Sequence, residues 1–509
     1  MKQYLFLFVL ISGLLTCCKT QQTIVKSKTD DGIITFKFVQ VNDVYEIAPL
    51  SGGKYGGMAR VAHVVDSLKQ INKNTFLFMA GDFLNPSLLG TLKVGGERVA
   101  GKQMIDVMNA MNFDLVTYGN HEFDLSEDQF QKRLDESQFQ WISSNTFQKK
   151  GEEAIPFKSN GKDVAYTYTL NIQDSDGTNI NVGFFSVTID SNPVDYVFYG
   201  DAITYGQDAF SSLKGNTDLV IGLTHLALEE DIALANTLPE VPLLMGGHEH
   251  TSMLVPTKYG VVAKADANAK TVYIHTLEYN SITKQVSIDS DLFPIDETIA
   301  ANPTVKVVVD RWEAILKNEI LQVIDNPSEI IYRGAAPLDG TDSAGRSIQT
   351  DLGDIITAGM ADAFNDKEID GAIVNGGSFR LDDMLPKEIT SLDIFRVLPF
   401  GGQVYKVKMK GSLLTEVLNY GKTHRGTGAY LQRHQLQESD IAGWLVNGQP
   451  IYKDQIYTIA MSDFLLKGFD IPFLTPENEG IVEVYKPIAS EPASDIRKAV
   501  ILFLKSKDK

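Results

Sequence analysis

From Ile34 the chain alternates apolar and polar side chains, Ile34-Thr35-Phe36-Lys37-Phe38-Val39-Gln40-Val41, the pattern of a half-buried strand running into Asn42-Asp43. Met58, Val61, Val64, Val65, Leu68 and Ile71 then recur at helical spacing and make one apolar face. Thr75 to Ala80 is an unbroken apolar run, which predicts a buried strand entering Gly81-Asp82. Met104 to Met111 predicts a helix, and Asp114 to Tyr118 a strand that enters Gly119-Asn120-His121. Ser126 is placed to cap a helix through Leu134. Further strands at Asn181 to Val187, Leu219 to Gly222 and Val241 to Met245 keep strands and helices alternating, which outlines an α/β sandwich.

Between Ile299 and Ile324 the period changes. Val305, Val308, Trp312, Ile315, Leu316 and Ile320 mark one long amphipathic helix, read as a connector. A second α/β unit follows, with helices over Gly353 to Ala363 and Leu413 to Leu418 and strands over Gly371 to Val374, Val404 to Met409 and Gln455 to Ala460. The expected division is a leader over residues 1–18, a first domain over 32–298, the connecting helix over 299–325 and a second domain over 326–509.

Length adds weight to that division, because 509 residues exceed one ordinary core and suggest about two or three domains. A net charge of −19 argues against a nucleic-acid polymer as partner, which needs a basic face, but leaves a small phosphorylated substrate open. Lys2 followed by the apolar run Tyr4 to Leu15 is too short to span a bilayer and reads as an export leader. Cys17 and Cys18 are the only cysteines, and adjacent cysteines rarely bridge.

Five segments place an Asp, Asn or His just after a strand-like run. They are Asn42-Asp43-Val44-Tyr45, Gly81-Asp82, Gly119-Asn120-His121-Glu122-Phe123-Asp124, Thr224-His225 and Gly246-Gly247-His248-Glu249-His250. Open α/β sheets bind ligands beyond the carboxyl ends of their strands. Carboxylates and neutral imidazoles hold divalent ions such as zinc or manganese. Two such ions, about 3.5–4 Å apart, can grip a phosphoryl group and generate hydroxide at neutral pH. His63 on a helix flank, His275 in a strand-like run, and His424 and His434 in an expected loop over Lys422 to Gln435 stand outside these segments.

In order and residue type the five segments, with Gly119-Asn-His-Glu-Phe-Asp124 the sharpest, resemble the 5′-nucleotidase family, which includes UDP-sugar hydrolases and 2′,3′-cyclic nucleotide phosphodiesterases. The resemblance implies an α/β chain: an N-terminal metallophosphatase β-sandwich flanked by helices (α/β/β/α), a linker helix and a C-terminal α/β substrate-binding domain that rotates against the first. It implies two divalent metal ions bridged by Asp82, one also held by Asp43 and His250, the other by Asn120, His225 and His248. His121 would stabilise charge on the transferring phosphoryl group, oriented by Asp124, while metal-bound hydroxide attacks phosphorus. Glu122 and Glu249 match no ligand position and are expected to be solvated or to support the ligands from behind. The family's first motif is Asp-x-His, whereas this chain carries Asp43-Val44-Tyr45. A phenol, with a pKa of roughly 10, must lose its proton before it binds a metal well. Tyr45 could ligate as phenolate to a harder ion such as iron, leave a weak first site, or step aside for water, the favoured expectation.

Asn375-Gly-Gly-Ser-Phe-Arg380, Leu398-Pro-Phe-Gly-Gly402 and Ser462 to Asp470 resemble the same family's C-terminal domain in order and spacing. That likeness implies that Phe400 and Phe464 clamp a nucleobase, Arg346 and Arg380 face the anion, Asp470 faces the ribose hydroxyls, and Asn375 is a further substrate-binding residue. Gly468-Phe469-Asp470-Ile471-Pro472 departs from the family's Gly-Gly-Asp-Gly-Phe. Leu14-Leu15-Thr16-Cys17, or the same pattern moved on by one residue, resembles a bacterial lipobox and implies export with a membrane tether only through acylated Cys17 or Cys18, the alternative being ordinary secretion; a monomer is expected. The implied activity is hydrolysis of nucleotide phosphate esters or nucleotide sugars. The alternatives are a cyclic phosphodiester or related ester on the same site, or a nucleotide-binding protein that has lost catalysis.

Overall fold

The computed structural model describes residues 30–191, 193–321, 324, 326–364 and 368–507; the leader with Cys17 and Cys18 lies outside them. Strands β1 (Ile33–Val41), β2 (Thr75–Ala80), β3 (Leu115–Thr117) and β4 (Gln140–Ile142) run parallel. A second sheet is built from β5 (Thr167–Gln173), β6 (Asn179–Thr188), β7 (Leu219–His225), β8 (Leu243–Met245), β9 (Met253–Pro256) and β10 (Val261–Lys264), in the order β5-β6-β7-β8-β10-β9. Then β11 (Thr271–Asn280) and β12 (Gln285–Pro294) return to the first sheet, which reads β12-β11-β1-β2-β3-β4.

The two sheets face each other across Phe36, Phe38, Phe78, Val182, Phe184 and Ile221. Val39, Val41, Leu77 and Met79 point the other way and pack with α1 (Met58–Ile71) and α2 (Lys102–Met111). The carboxyl end of β1 is therefore buried on both faces, not half-buried as its alternation predicts. Gln40, which looks solvent-facing in sequence, is a buried tie between the sheets: its Nε2 donates to Gly246 O (2.9 Å) and Ala263 O (2.8 Å). Helix α3 (Glu127–Glu136) starts at Ser126 with a reciprocal capping box. Helices α4 (Ala202–Leu213) and α5 (Leu228–Ala235) cover the outer face of the second sheet, completing an α/β/β/α sandwich.

Helix α6 (Pro303–Leu321) buries Val305, Val309, Trp312, Leu316 and Ile320, with Val309 taking the inward place that the sequence assigns to Val308. It packs against the first sandwich, where Trp312 Nε1 donates to Asp106 Oδ2 at 3.1 Å. The second half is a mixed sheet of β13 (Gly371–Asn375), β14 (Val404–Lys410), β15 (Leu431–His434), β16 (Ile456–Ser462) and β17 (Ile481–Tyr485), in the order β15-β13-β16-β14-β17. His434 closes an edge strand here instead of lying in a loop. On one face α7 (Asp351–Asp362) and α9 (Ile496–Lys507) share a core with α6; on the other, α8 (Gly411–Thr423) covers Ile373, Val407 and Ile459. Among the described residues no helix is long and apolar enough to cross a membrane.

Candidate active site

Five parallel strands deliver their carboxyl ends to one edge of the sandwich. Asp43 follows β1, Asp82 follows β2, Asn120 follows β3, His225 ends β7, and His248 and His250 follow β8. Oxygens of Asp43 and Asp82 and a ring nitrogen of His225 all lie within 4.8 Å of one another, fully buried. Asp43, Asp82 and His248 adopt φ of 52°, 57° and 85°, left-handed values that cost a non-glycine residue on the order of 1–3 kcal/mol and cluster where function demands them. Gly119 is there because a Cβ would overlap Asp82 Oδ1, so the β3 turn can approach the carboxylate only without a side chain.

Each ligand candidate is aimed by a neighbour. His225 Nδ1 donates to Ala80 O at 2.7 Å, which leaves Nε2 facing Asp82 Oδ2 at 3.3 Å. Asp43 Oδ2 accepts from His248 N at 2.9 Å and Asn42 Nδ2 at 2.8 Å, while Asp43 Oδ1 faces His250 Nε2 at 3.6 Å. The His248 ring stands edge-on to His225, with centres 5.5 Å apart. Asp43 Oδ1, Asn120 Oδ1 and His225 Nε2 are buried with no hydrogen-bond partner among the described residues. Leaving such groups unsatisfied costs about 1–3 kcal/mol each, and two carboxylates, an amide oxygen and imidazoles are a donor set that suits divalent cations.

Tyr45 does not step aside. Its hydroxyl is buried 3.1 Å from Asp82 Oδ2 and 3.1 Å from His250 Nε2. Burial, with the charges of Asp82 and Asp43, pushes the phenol well above its ordinary value, so Tyr45 enters the cluster as a neutral O–H.

The protein groups of the cluster balance their charges among themselves. Burial alone would depress His225, but Asp82 and Asp43 overcome it and push the imidazole up to about 10. Burial would likewise raise Asp82, yet His225 and His121 hold it well below the usual carboxylate range. Asp43 goes up, because burial outweighs the pull of His225 and His250. His248 is lowered to about 3 by burial and by the neighbouring His225.

Beside this cluster His121 Nδ1 and Asp124 Oδ2 are 2.6 Å apart, and Asn85 Nδ2 donates to that same oxygen at 2.9 Å. Glu122 is not solvated. It is fully buried and accepts from the backbone N–H of Asp82 (2.9 Å), Phe83 (2.8 Å), Leu84 (3.1 Å) and Gly119 (2.5 Å), fixing the turn that carries Asp82. Burial and the nearby Asp82 raise its carboxyl to about 7. Glu249 pairs with Lys264, which is itself fully buried and also bonded to Asp231 at 2.8 Å.

A single cavity of about 840 Å³ runs from Asn120, His121 and His248 to Arg346, Asn375, Arg380, Phe400, Phe464 and Asp470 of the second half. Among the described residues, the Nε atoms of Arg346 and Arg380 are buried there without hydrogen-bond partners. Arg346 Nη2 reaches Asp342 Oδ1 at 2.8 Å, and Asn375 Nδ2 donates to Asp470 Oδ2 at 2.6 Å. Phe400 and Phe464 are 50% and 37% exposed. Two further aromatic features line this cavity. Phe469, 70% exposed, lies with its ring centre 5.6 Å from that of Phe464, inside a motif read only for its aspartate. His424, which caps the carboxyl end of α8, stacks on Tyr420 at 3.8 Å, and both line the cavity; their i,i+4 spacing is the available signal.

Comparison with known proteins agrees with this geometry. The profile of the family described as "Calcineurin-like phosphoesterase" matches residues 36–252, and that of "5'-nucleotidase, C-terminal domain" matches 331–475. The 5′-nucleotidase of Homo sapiens is 25% identical over 465 residues, spanning 82% of this chain and 78% of that protein. The structure of a 5′-nucleotidase precursor from Thermus thermophilus superposes with a TM-score of 0.72 at 20% identity, covering 93% of this chain and 97% of that one. The fold extends to a sulfate thiohydrolase, SoxB, of the same species, with a TM-score of 0.66 at 13% identity over 93% of this chain and 94% of that one. This chain is a phosphohydrolase and belongs to the family that joins a calcineurin-like phosphoesterase domain to a 5′-nucleotidase C-terminal domain.

Proposed function

We propose that this phosphohydrolase cleaves phosphate esters of nucleotides, acting on nucleoside 5′-phosphates or nucleotide sugars. The observation that carries the reading is the one cavity in which the buried polar edge of the sandwich faces two arginines with unpartnered Nε atoms and exposed aromatic rings. Asp43, Asp82, Asn120, His225, His248 and His250 would hold two divalent cations, zinc or manganese in type. A bound pair would supply electrophilic pull on the phosphoryl oxygens and lower the pKa of a water molecule.

The chain's own groups do the rest. His121, held at Nδ1 by Asp124, presents Nε2 to negative charge growing on the transferring phosphoryl group. Arg346 and Arg380 offer planar donor forks to phosphate. Phe400 and Phe464 stack the base, which is worth about 1–3 kcal/mol and discriminates weakly between bases. Asp470, with one oxygen taken by Asn375, keeps the other for a sugar hydroxyl.

We extend the reading to a division at 32–298, 299–325 and 326–509, and to export with attachment through an acylated Cys17 or Cys18. Loss of membrane association on replacing both cysteines by serine is the expected result for the anchor; unchanged partition would remove it. The function is tested by elemental analysis of purified protein together with phosphate release from nucleoside 5′-phosphates, nucleotide sugars and 2′,3′-cyclic nucleotides. About two ions per chain with release from the first two classes is expected. Two bound ions with no release from any nucleotide would overturn it.

A further inference from the structure

The two halves of the chain meet at the ligand cluster through one carboxylate. Asp382, two residues beyond Arg380, sets Oδ2 2.9 Å from His250 Nδ1, across 132 positions of sequence. Its other oxygen accepts from Asp342 N at 2.7 Å, and its carbonyl accepts from Lys270 Nζ at 2.6 Å. The residue is buried and holds φ at 50°, so the backbone bears strain to keep the carboxylate in this place. With Nδ1 committed to Asp382, the other ring nitrogen of His250 is the one that faces Asp43 and Tyr45. The same contact reaches the substrate side, since Asp342, whose N–H holds Asp382, pairs with Arg346.

An imidazole that binds a metal commonly gives its second N–H to a carboxylate, which fixes tautomer and ring orientation. Here the carboxylate comes from the opposite half of the molecule. We propose that Asp382 is a positioning residue for the cation held by Asp43 and His250, so that cation affinity at that position depends on the second half being docked. This rests on the cation reading given above. Because such coupling is reciprocal, a bound cation in turn favours the docked arrangement.

The test is Mn²⁺ titration of the chelator-stripped full chain by calorimetry, for the wild type and for Asp382→Ala, Asp382→Asn, Asp383→Asn and Asp82→Asn. Asp382→Ala should weaken one of two sites by about 10- to 100-fold and leave the other unchanged. Asp382→Asn, whose amide oxygen can still accept from Nδ1–H, should recover most of that loss. Asp383→Asn should titrate like wild type, because Asp383 touches Ser51 Oγ (2.7 Å) and Lys270 in the first half without reaching the imidazole. A histidine ¹⁵N spectrum of the chain loaded with diamagnetic Zn²⁺ should show His250 as the Nδ1–H tautomer. Wild-type affinity in Asp382→Ala, an equal loss in Asp383→Asn, or an Nε2–H tautomer in the wild type would overturn the proposal while the cation reading stands. That last readout needs no variant to fold. No Mn²⁺ uptake by the wild type, or unaltered uptake by Asp82→Asn, would overturn the cation reading and the proposal with it.

Discussion

Tyr45 and His250 hold their Oη and Nε2 atoms 3.1 Å apart, at the position where the family's motif would supply an imidazole lone pair. A neutral phenol fills the space and offers a proton instead. Tyr45→His should therefore tighten one Mn²⁺ site by about tenfold, within the range that ligand-shell changes produce. Titration calorimetry on stripped protein reads this directly, and unchanged affinity would show that the phenol is not what limits that site.

Asp82 is reached by His225, Tyr45 and the His121 backbone N–H at once. Asp82→Asn keeps the volume and removes the charge. Turnover should fall more than about 100-fold, since cation-derived stabilisation is worth several kcal/mol. Circular dichroism should be unchanged, and wild-type turnover in the variant would remove Asp82 from its assigned role.

Phe464 and Phe469 form a ring pair that opens onto the cavity. Phe464→Ala should raise KM for nucleotides by about 5- to 100-fold, the equivalent of one lost stacking contact, and raise KM for a small aryl phosphate much less. Parallel increases for both substrates would mean the ring is not a base platform.

His275 provides a pH signature away from the cluster. Buried in β11, with Nε2 2.9 Å from Gln40 Oε1 and Nδ1 2.8 Å from Ser290 Oγ, it is lowered by burial to about 3. The unfolded chain takes up this proton near 6.5 and the folded chain only near 3, so the unfolded state gains protons first as pH falls. The stabilisation is whole above about 6.5 and is lost on acidification toward 3, on the order of a few kcal/mol. Urea unfolding at stepped pH should show this acid slope, and His275→Gln should flatten it.

The site was legible in sequence where the chemistry is local. Asp43, Asp82, Asn120, His225 and His248 each end or follow a strand-like run, and parallel strands bring such ends to one edge. What depends on a particular distant partner left no periodic trace. Gln40 reads as the polar face of β1, yet it bridges two sheets. Lys264, which no sequence motif singles out, is a buried counter-ion for Asp231 and Glu249. Asp382 reads as a loop acid beside Asp383, and only the docking of the two halves shows which of the pair touches His250. His424 reads as part of a loop because its neighbours are basic and glycine-rich, although its stacking partner lies one helical turn back.

The origin of the ligand candidates bears on the sandwich itself. Asp43, Asp82 and Asn120 belong to the first sheet, whereas His225 and His248 belong to the second. Ions seated among them would act as rivets through the open mouth of the two layers, adding to the hydrogen bonds of Gln40, His225 and His248 and to the apolar packing that join those edges. Stripping the protein of metal would then loosen the seam between its sheets as well as silence its chemistry, and melting temperature would follow occupancy.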